Sequence, residues 1–295
     1  MAGRNPFTYV PVGPWPQGMA KPQRVTDVPL EALADAVNVD VRPEGSVATR
    51  IDWTLVDELP GCHSLYRHTT GDYGVINGHV CRLSDQGFDA LHPVSGPVSW
   101  ADVGGEAYFA TRDTVWRIDG VAVWPVAEHG DDHDIDDPIV PMPGGRLLQY
   151  WNGRLIVARG ATLLFSEPLR YGAHNPVTGY IRLGGWVEWL APLESGIYVG
   201  LPQHVLWLGG TQPFDMQAKV VSGVSAPGMA LVVPGSTMGA ESDGSRAVFF
   251  TPRGFAVGDQ AGNVAYPQAD RFSDLPLYRG KLVRDETRVY ALREL

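Results

Sequence analysis

The chain predicts an all-β fold: a β-propeller of about six blades, preceded by an N-terminal extended arm and one short helix. Three observations carry that prediction. The 295 residues include 35 glycines and 24 prolines, about a fifth of the chain, and such punctuation breaks helices every few residues. Hydrophobic residues make up 44% with 9 Trp, 11 Tyr and 9 Phe, enough to bury a large core and too aromatic for a disordered chain. Finally, a β-hairpin pattern recurs at a spacing of roughly 42 residues, the period of a four-stranded propeller blade.

Residues 1–59 read as an arm, a short helix and a hairpin, and residues 60–295 as the propeller domain. The first 25 residues carry Pro6, Pro11, Pro14, Pro16 and Pro22, which keep them out of a central strand. Phe7, Tyr9, Val10 and Trp15 are costly to leave in water, so this arm is expected to pack on its own domain or on a neighbouring subunit. Thr26 and Asp27 stand where a helix N-cap belongs, and Pro29 suits the first turn. Leu30, Leu33, Ala34 and Val37 then fall at helical spacing, which predicts a helix over 29–37. Val39 and Val41 alternate, Pro43-Glu44-Gly45 turns the chain, and 46–50 runs back, which is a hairpin signal.

Beyond residue 60 the hairpins are YGVINGHVCRL (73–83), AYFATRDTVWRIDG (107–120), LIVARGATLLFSEP (155–168), GIYVGLPQHVLWLGG (196–210), AVFFTPRGFAVGDQ (247–260) and KLVRDETRVYAL (281–292). Their turns fall near Asn77-Gly78, Arg112-Asp113, Arg159-Gly160, Pro202-Gln203, Arg253-Gly254 and Asp285-Glu286. Weaker strand-like runs lie between them: HSLYRH, FDALHPV, PVSWADV, YIRLG, VEWLAPL, KVVSGV and ALVVPG. A β-sandwich is the competing fold, and it calls for turn signals every 8–12 residues with no longer period.

Cys62 and Cys81 are the only cysteines, too few for a disulfide framework. They read as small buried hydrophobes, with a bridge possible only if their strands are neighbours. The formal net charge of −10 argues against a basic nucleic-acid-gripping face. No apolar run is long enough for a membrane span.

The acidic stretch Glu128–Asp137 concentrates charge. Asp132, Asp134 and Asp136 alternate like the start of a calcium loop, but the glycine and distal glutamate of an EF-hand are missing. His129 and His133 stand four apart on a stretch that is poor at forming helix. A solvated loop, a divalent-cation site and a face turned toward an anionic partner are the three readings. Asp131, Asp132, Asp134, Asp136 and Asp137 are its candidate residues.

No nucleophile elbow, Walker loop or zinc-protease helix is present, so no enzyme is expected and no cofactor. The Ser166 hydroxyl reads as a strand-end cap. Glu188, Glu194, Asp215 and Asp259 are the carboxylates from which a glycosidase pair would have to be drawn. Trp151, Trp186, Trp189 and Trp207 would stack on a sugar or, more in keeping with the fold, pack inside blades.

Three stretches resemble the tail nozzle, or tail-hub, proteins of short-tailed bacteriophages, also described as packaged-DNA stabilisation proteins. The first runs from Leu30 through Asn38-Val39-Asp40-Val41-Arg42-Pro43-Glu44-Gly45 to Arg50. The second is Trp151-Asn152-Gly153-Arg154-Leu155-Ile156-Val157-Ala158 through Leu164-Phe165-Ser166-Glu167-Pro168. The third is Ser195–Gly200 through Val205–Gly210, leading to Gly223 and Gly228. The resemblance implies a structural virion protein in the phage tail, made in the host cytoplasm. Six copies would form a homo-oligomeric ring below the portal and adaptor, extending the DNA channel, retaining packaged DNA and anchoring tail fibres. The partners implied are the adaptor, the tail-fibre proteins and double-stranded DNA in transit, without sequence-specific binding or membrane insertion. The motif residues carried over are Asn38, Val39, Asp40, Arg42, Gly45, Arg50, Arg154, Ser166, Glu167 and Pro168, none of them catalytic. Two alternatives stand beside it: a glycan-binding or glycan-cleaving propeller, and a protein-interaction propeller within a cell.

Overall fold

Strand after strand returns antiparallel on its predecessor, because the turns between them carry the residues that tight reversals need. Asn77 and Gly78 (φ 48° and 75°), and likewise Asn152 and Gly153 (φ 44° and 76°), both enter the left-handed region, as a two-residue hairpin turn requires. The computed structural model of the chain describes residues 61–120, 122–126, 138–238, 244–270 and 272–284, together with three further strands. Two of these strands form a hairpin, β1 (Val39–Val41) and β2 (Val47–Thr49), with Val39 opposite Thr49 and Val41 opposite Val47. The expected arm, the 29–37 helix, the acidic stretch and motif residues Asn38, Arg42, Gly45 and Arg50 lie outside the described residues.

The chain divides into two units. The smaller includes the β1–β2 hairpin with Pro252–Gly254 and Tyr266–Pro276. Within it the Arg253 guanidinium lies 4.5 Å above the Tyr266 ring, and Leu275 N–H donates to the Pro252 carbonyl at 2.8 Å.

The larger unit is a β-propeller. Its first sheet holds β3 (His63–His68), β4 (Gly71–Ile76), β5 (His79–Ser84) and β6 (Gly87–Pro93) in chain order. The second holds β7 (Ser99–Val103), β8 (Glu106–Ala110), β9 (Val115–Asp119) and β10 (Ala122–Pro125). The third is the widest. Short β11 (Val140–Pro141) precedes β12 (Leu147–Trp151), β13 (Arg154–Arg159), β14 (Thr162–Glu167), β15 (Arg170–His174) and β16 (Tyr180–Arg182), with β11 paired to β15 and β16 to β14. The fourth holds β17 (Trp189–Leu193), β18 (Gly196–Gly200), β19 (Val205–Gly209) and β20 (Gln217–Ser222). The fifth holds β21 (Ala230–Pro234), β22 (Ser245–Thr251), β23 (Gly254–Gly258) and β24 (Val264–Ala265). A last sheet pairs β25 (Gly280–Arg284) with β26 (Val289–Arg293). The first strand of each sheet packs beside the first strand of the next, from β3 through β7, β12, β17 and β21 to β25. Among the described residues there is no α-helix.

All six hairpins read from the sequence are present. Five are the second and third strands of their sheets. The sixth, β25–β26, differs: β25 packs on β21 as a first strand does, so this hairpin is the first pair of its sheet.

Apolar cores lie between successive sheets. Tyr73 and Val75 of the first meet Trp100 and Phe109 of the second. Tyr108 and Val115 of the second meet Leu148 and Leu155 of the third. Ile156 and Phe165 of the third meet Ile197 and Leu206 of the fourth. A sheet packed on both faces has strands buried along their whole length, as in β18 and nearly all of β13, whereas outer strands β6 and β20 are largely exposed.

Indole N–H groups tie one sheet to the next. Trp100 Nε1 donates to the Ser64 carbonyl (2.6 Å), Trp151 Nε1 to the Leu193 carbonyl (2.7 Å) and Trp189 Nε1 to Ser225 Oγ (3.0 Å). Each bond satisfies a buried donor that would otherwise cost a few kcal/mol, roughly 1–3. Gly200 sits where any side chain would run into the Trp189 indole, which explains a glycine at the end of an otherwise β-favouring strand. The two cysteines are unbridged: Cys62 precedes β3, Cys81 lies in β5, and β4 runs between those strands. Burial pushes both thiols up, so they stay protonated at neutral pH.

Candidate functional site

Of the motif residues, Val39 and Asp40 lie in β1, and Arg154, Ser166, Glu167 and Pro168 meet at one end of the third sheet. The acidic candidates Asp131, Asp132, Asp134, Asp136 and Asp137 lie outside the described residues.

Arg154 opens β13 directly after the Asn152-Gly153 turn, and its side chain is buried. Nη1 donates to the Ser166 carbonyl at 2.6 Å, and Nη2 to Gln212 Oε1 at 3.1 Å, in the loop after β19 of the fourth sheet. Burial draws the guanidinium's pKa down while the Glu167 charge opposes it. Ser166 Oγ accepts from Leu155 N–H (2.9 Å) and donates to the Glu167 carbonyl (3.1 Å) where the β14–β15 register shifts. The hydroxyl thus caps a strand end, as the sequence suggests, and fills the bulge. Just beyond Pro168, Leu169 takes φ 58° and donates its N–H to the Gly153 carbonyl at 2.7 Å. Arg154 therefore ties this strand end, shaped by Ser166 and Glu167, to the loop after β19 of the fourth sheet.

A second cluster gathers at the opposite end of these sheets, where the chain enters first strands. Arg146 leads into β12, Glu188 into β17 and Arg279 into β25. Glu188 Oε2 lies 3.2 Å from Arg146 Nη2 and 3.3 Å from Arg279 Nη2. Arg146 Nη2 also donates to the Val187 carbonyl. The carboxylate is mostly covered (16% exposed), while the arginine side chains are 42% and 52% exposed. Trp186, two residues before Glu188, is 65% exposed. Among the four tryptophans named from the sequence it stands apart, because Trp151, Trp189 and Trp207 are buried in the blades. The sequence flags Glu188 and Trp186 on separate grounds; neither arginine carries a local signal.

The remaining carboxylates are spent on structure. Glu194 Oε1 accepts from Ser245 Oγ (3.0 Å), and its other oxygen accepts from Gln260 Nε2, which links the β17–β18 turn to the fifth sheet. Burial would raise this carboxyl, but hydrogen bonds from its own backbone, Ser245 and Gln260 outweigh it and hold the pKa below its ordinary value. Asp259 accepts from the N–H groups of Ala261 (2.9 Å) and Asn263 (2.8 Å), capping its own turn. Asp215 accepts from Gln212 N–H at 3.0 Å. None of these contacts sets two carboxylates across a common space. Among the described residues no three potential metal ligands cluster.

One constellation has no sequence signal. His68 is almost fully buried, with Nε2 3.0 Å from Asp102 Oδ2 of the neighbouring sheet, though off the axis of a hydrogen bond. Its Nδ1 lies 2.8 Å from Thr70 Oγ1 and accepts the Thr70 N–H at 3.2 Å. The order carboxylate–imidazole–hydroxyl is that of an activated nucleophile. Here its atoms close the β3–β4 turn and tie that turn to β7.

No protein-family model and no curated protein matches the chain. Solved structures resemble its fold. The extracellular domain of a one-component system from B. thetaiotaomicron is similar over 79% of this chain and 32% of that one, at 9% identity and a TM-score of 0.51. The extracellular domain of a hybrid two-component system from the same organism is similar over 75% and 30%, at 9% identity and a TM-score of 0.48. A virginiamycin B lyase from Staphylococcus aureus is similar over 82% and 87%, at 8% identity and a TM-score of 0.45. The chain thus spans about a third of the two B. thetaiotaomicron domains (32% and 30%). At such identities the likeness concerns the fold, an all-β propeller, and no activity.

Proposed function

We propose that this protein is a structural, non-enzymatic subunit of a short-tailed phage's tail nozzle, assembling as a ring of six that continues the DNA channel, helps retain packaged DNA and offers attachment for adaptor and fibres. The Arg154 joint is the observation that carries this reading. The second motif stretch folds as the β13–β14 hairpin, and its Arg154, Ser166 and Glu167 bind strand to strand and sheet to sheet. The polar side chains with the best chemistry on offer, Glu194, Asp259 and the His68–Asp102 pair, serve the same end. A stiff propeller held by internal polar ties suits a part that bears load. Formal charge of −10 per copy disfavours tight binding of DNA phosphates, so a duplex is able to move past without sticking. Ring contacts are heterologous and close on themselves, so one face of a copy meets a different face of the next. Sedimentation velocity on the purified full chain across a rising concentration series tests this. The expected outcome is a discrete species of about six times the 32.0 kDa chain mass. A monomer at every concentration, with the adaptor protein present and absent, contradicts it.

A further inference from the structure

We propose that Trp186, Arg146 and Arg279 form a binding site for a carboxylated sugar, the acidic residue of a surface glycan. The proposal is independent of the ring assembly, since every group comes from one copy. Topology makes the site. Arg146, Glu188 and Arg279 each immediately precede or closely approach a first strand of a different sheet, and Glu188 gathers both guanidiniums onto one oxygen at 3.2 and 3.3 Å. Two cations on one anion leave a net charge of +1. The carboxylate is the covered member, and the arginine side chains are about half exposed. Both reach Glu188 through Nη2 alone, and a guanidinium has five N–H donors in a planar fork. That fork is suited to a second carboxylate, taken in two parallel bonds.

Trp186 supplies the other half. Trp186 stands two residues before Glu188 and is exposed, whereas Val187 between them is buried. The indole is 65% exposed two residues along the chain from the carboxylate that holds both guanidiniums, although each of its counterparts Trp151, Trp189 and Trp207 is buried. An exposed indole face stacks on the C–H face of a sugar ring while neighbouring charges read its substituent. A monoanion matches the spare unit of positive charge. A phosphomonoester, nearly doubly charged at neutral pH, is less well matched, and a polyanionic duplex is repelled by the chain's −10.

The test is isothermal titration calorimetry, with indole fluorescence in parallel, on the full chain. The probes are tri-galacturonate, a hyaluronan tetrasaccharide and a sialyl-lactose, each beside its methyl-esterified form, and galactose 6-phosphate. The expected result is saturable binding of at least one carboxylated probe, accompanied by a change in indole emission. Esterification, Arg279→Ala and Trp186→Ala should each weaken it about tenfold or more, the loss of one charge-assisted or stacking contact. Arg279→Lys should recover only part of the affinity, because an ammonium lacks the fork. Circular dichroism melts of each variant within about 2 °C of the parent separate lost binding from lost fold. Binding that survives esterification, tighter binding of the phosphorylated sugar, or no binding of any carboxylated probe overturns the proposal. Failure here leaves the hexamer measurement untouched, and a monomeric protein that binds would uphold this site while overturning the ring.

Discussion

Arg154 shows how one residue can hold two sheets. Its guanidinium is buried and bonded both to the Ser166 carbonyl and to Gln212. Arg154→Ala strands the Ser166 carbonyl in the interior and deletes the tie to the fourth sheet. The expected loss is about 2–3 kcal/mol, the cost of unmaking a buried hydrogen bond to a charged group. Arg154→Lys reaches one acceptor at most and should lose more than half as much. Urea denaturation of the two variants beside the parent checks both, and a variant as stable as the parent would show that the joint contributes nothing. This site was legible from the sequence only through resemblance, since nothing in the spacing of Arg154 and Ser166 says that a backbone carbonyl is the target. The Arg146–Glu188–Arg279 cluster was not legible as a cluster, although Glu188 stands among the candidate carboxylates. Its members lead into the first strands of three different sheets, and only the folded order of those strands brings them together. The His68–Asp102 contact escaped for the same reason, as an inter-sheet pairing between residues that look unremarkable in their own strands.

The strands that announce themselves in sequence are the central ones. β4, β8, β13 and β18 are buried on both faces or nearly so, and their apolar runs lead into turns that begin the partner strands β5, β9, β14 and β19. The edge strand β10 (AVWP) and the inner β15 (RYGAH), which lies between β11 and β14, are short and carry no alternation. The first strand β12 (LLQYW) was hidden by its lead-in Gly144-Gly145-Arg146, which reads as loop. The β25–β26 hairpin was found, but its place was not, because a hairpin looks the same as strands one and two or as strands two and three. Between the fourth and fifth sheets, beside the Trp189–Phe249 stack, one link is polar, and it titrates. Glu194 has its pKa lowered in the folded protein, so its contribution is present above the ordinary carboxylate value and is lost as pH falls through the lowered one. Glu194→Gln puts an amide N–H group against Gln260 Nε2 and removes the charge. Because Glu194 is exposed, its melting midpoint at pH 7 should fall by only about 1–2 °C, and the gap to the parent should close as pH falls from 7 through the carboxylate range. Thermal melts across that range check it. A gap that stays constant with pH would mean that the carboxylate's charge is not what the joint uses.

At the scale of the molecule, the excess of glycine and proline is explained by the turns between strands that meander sheet after sheet. The apolar cores lie between sheets, and indole, arginine and carboxylate ties cross the same gaps. Taken by itself, the larger unit presents two ends of loops and a rim of outer strands. In the proposed ring the rim meets neighbouring copies, and the end carrying Trp186 and the two arginines faces glycan. Cryo-electron microscopy of the purified full chain, concentrated to the level at which the hexamer is expected, tests the nozzle assignment most directly. The expected image is a closed ring of about six propellers around an opening wide enough for duplex DNA, roughly 20 Å or more, since a major groove of about 12 Å is only part of its width. Separate propellers, or a closed assembly whose centre is too narrow to pass a duplex, would contradict it.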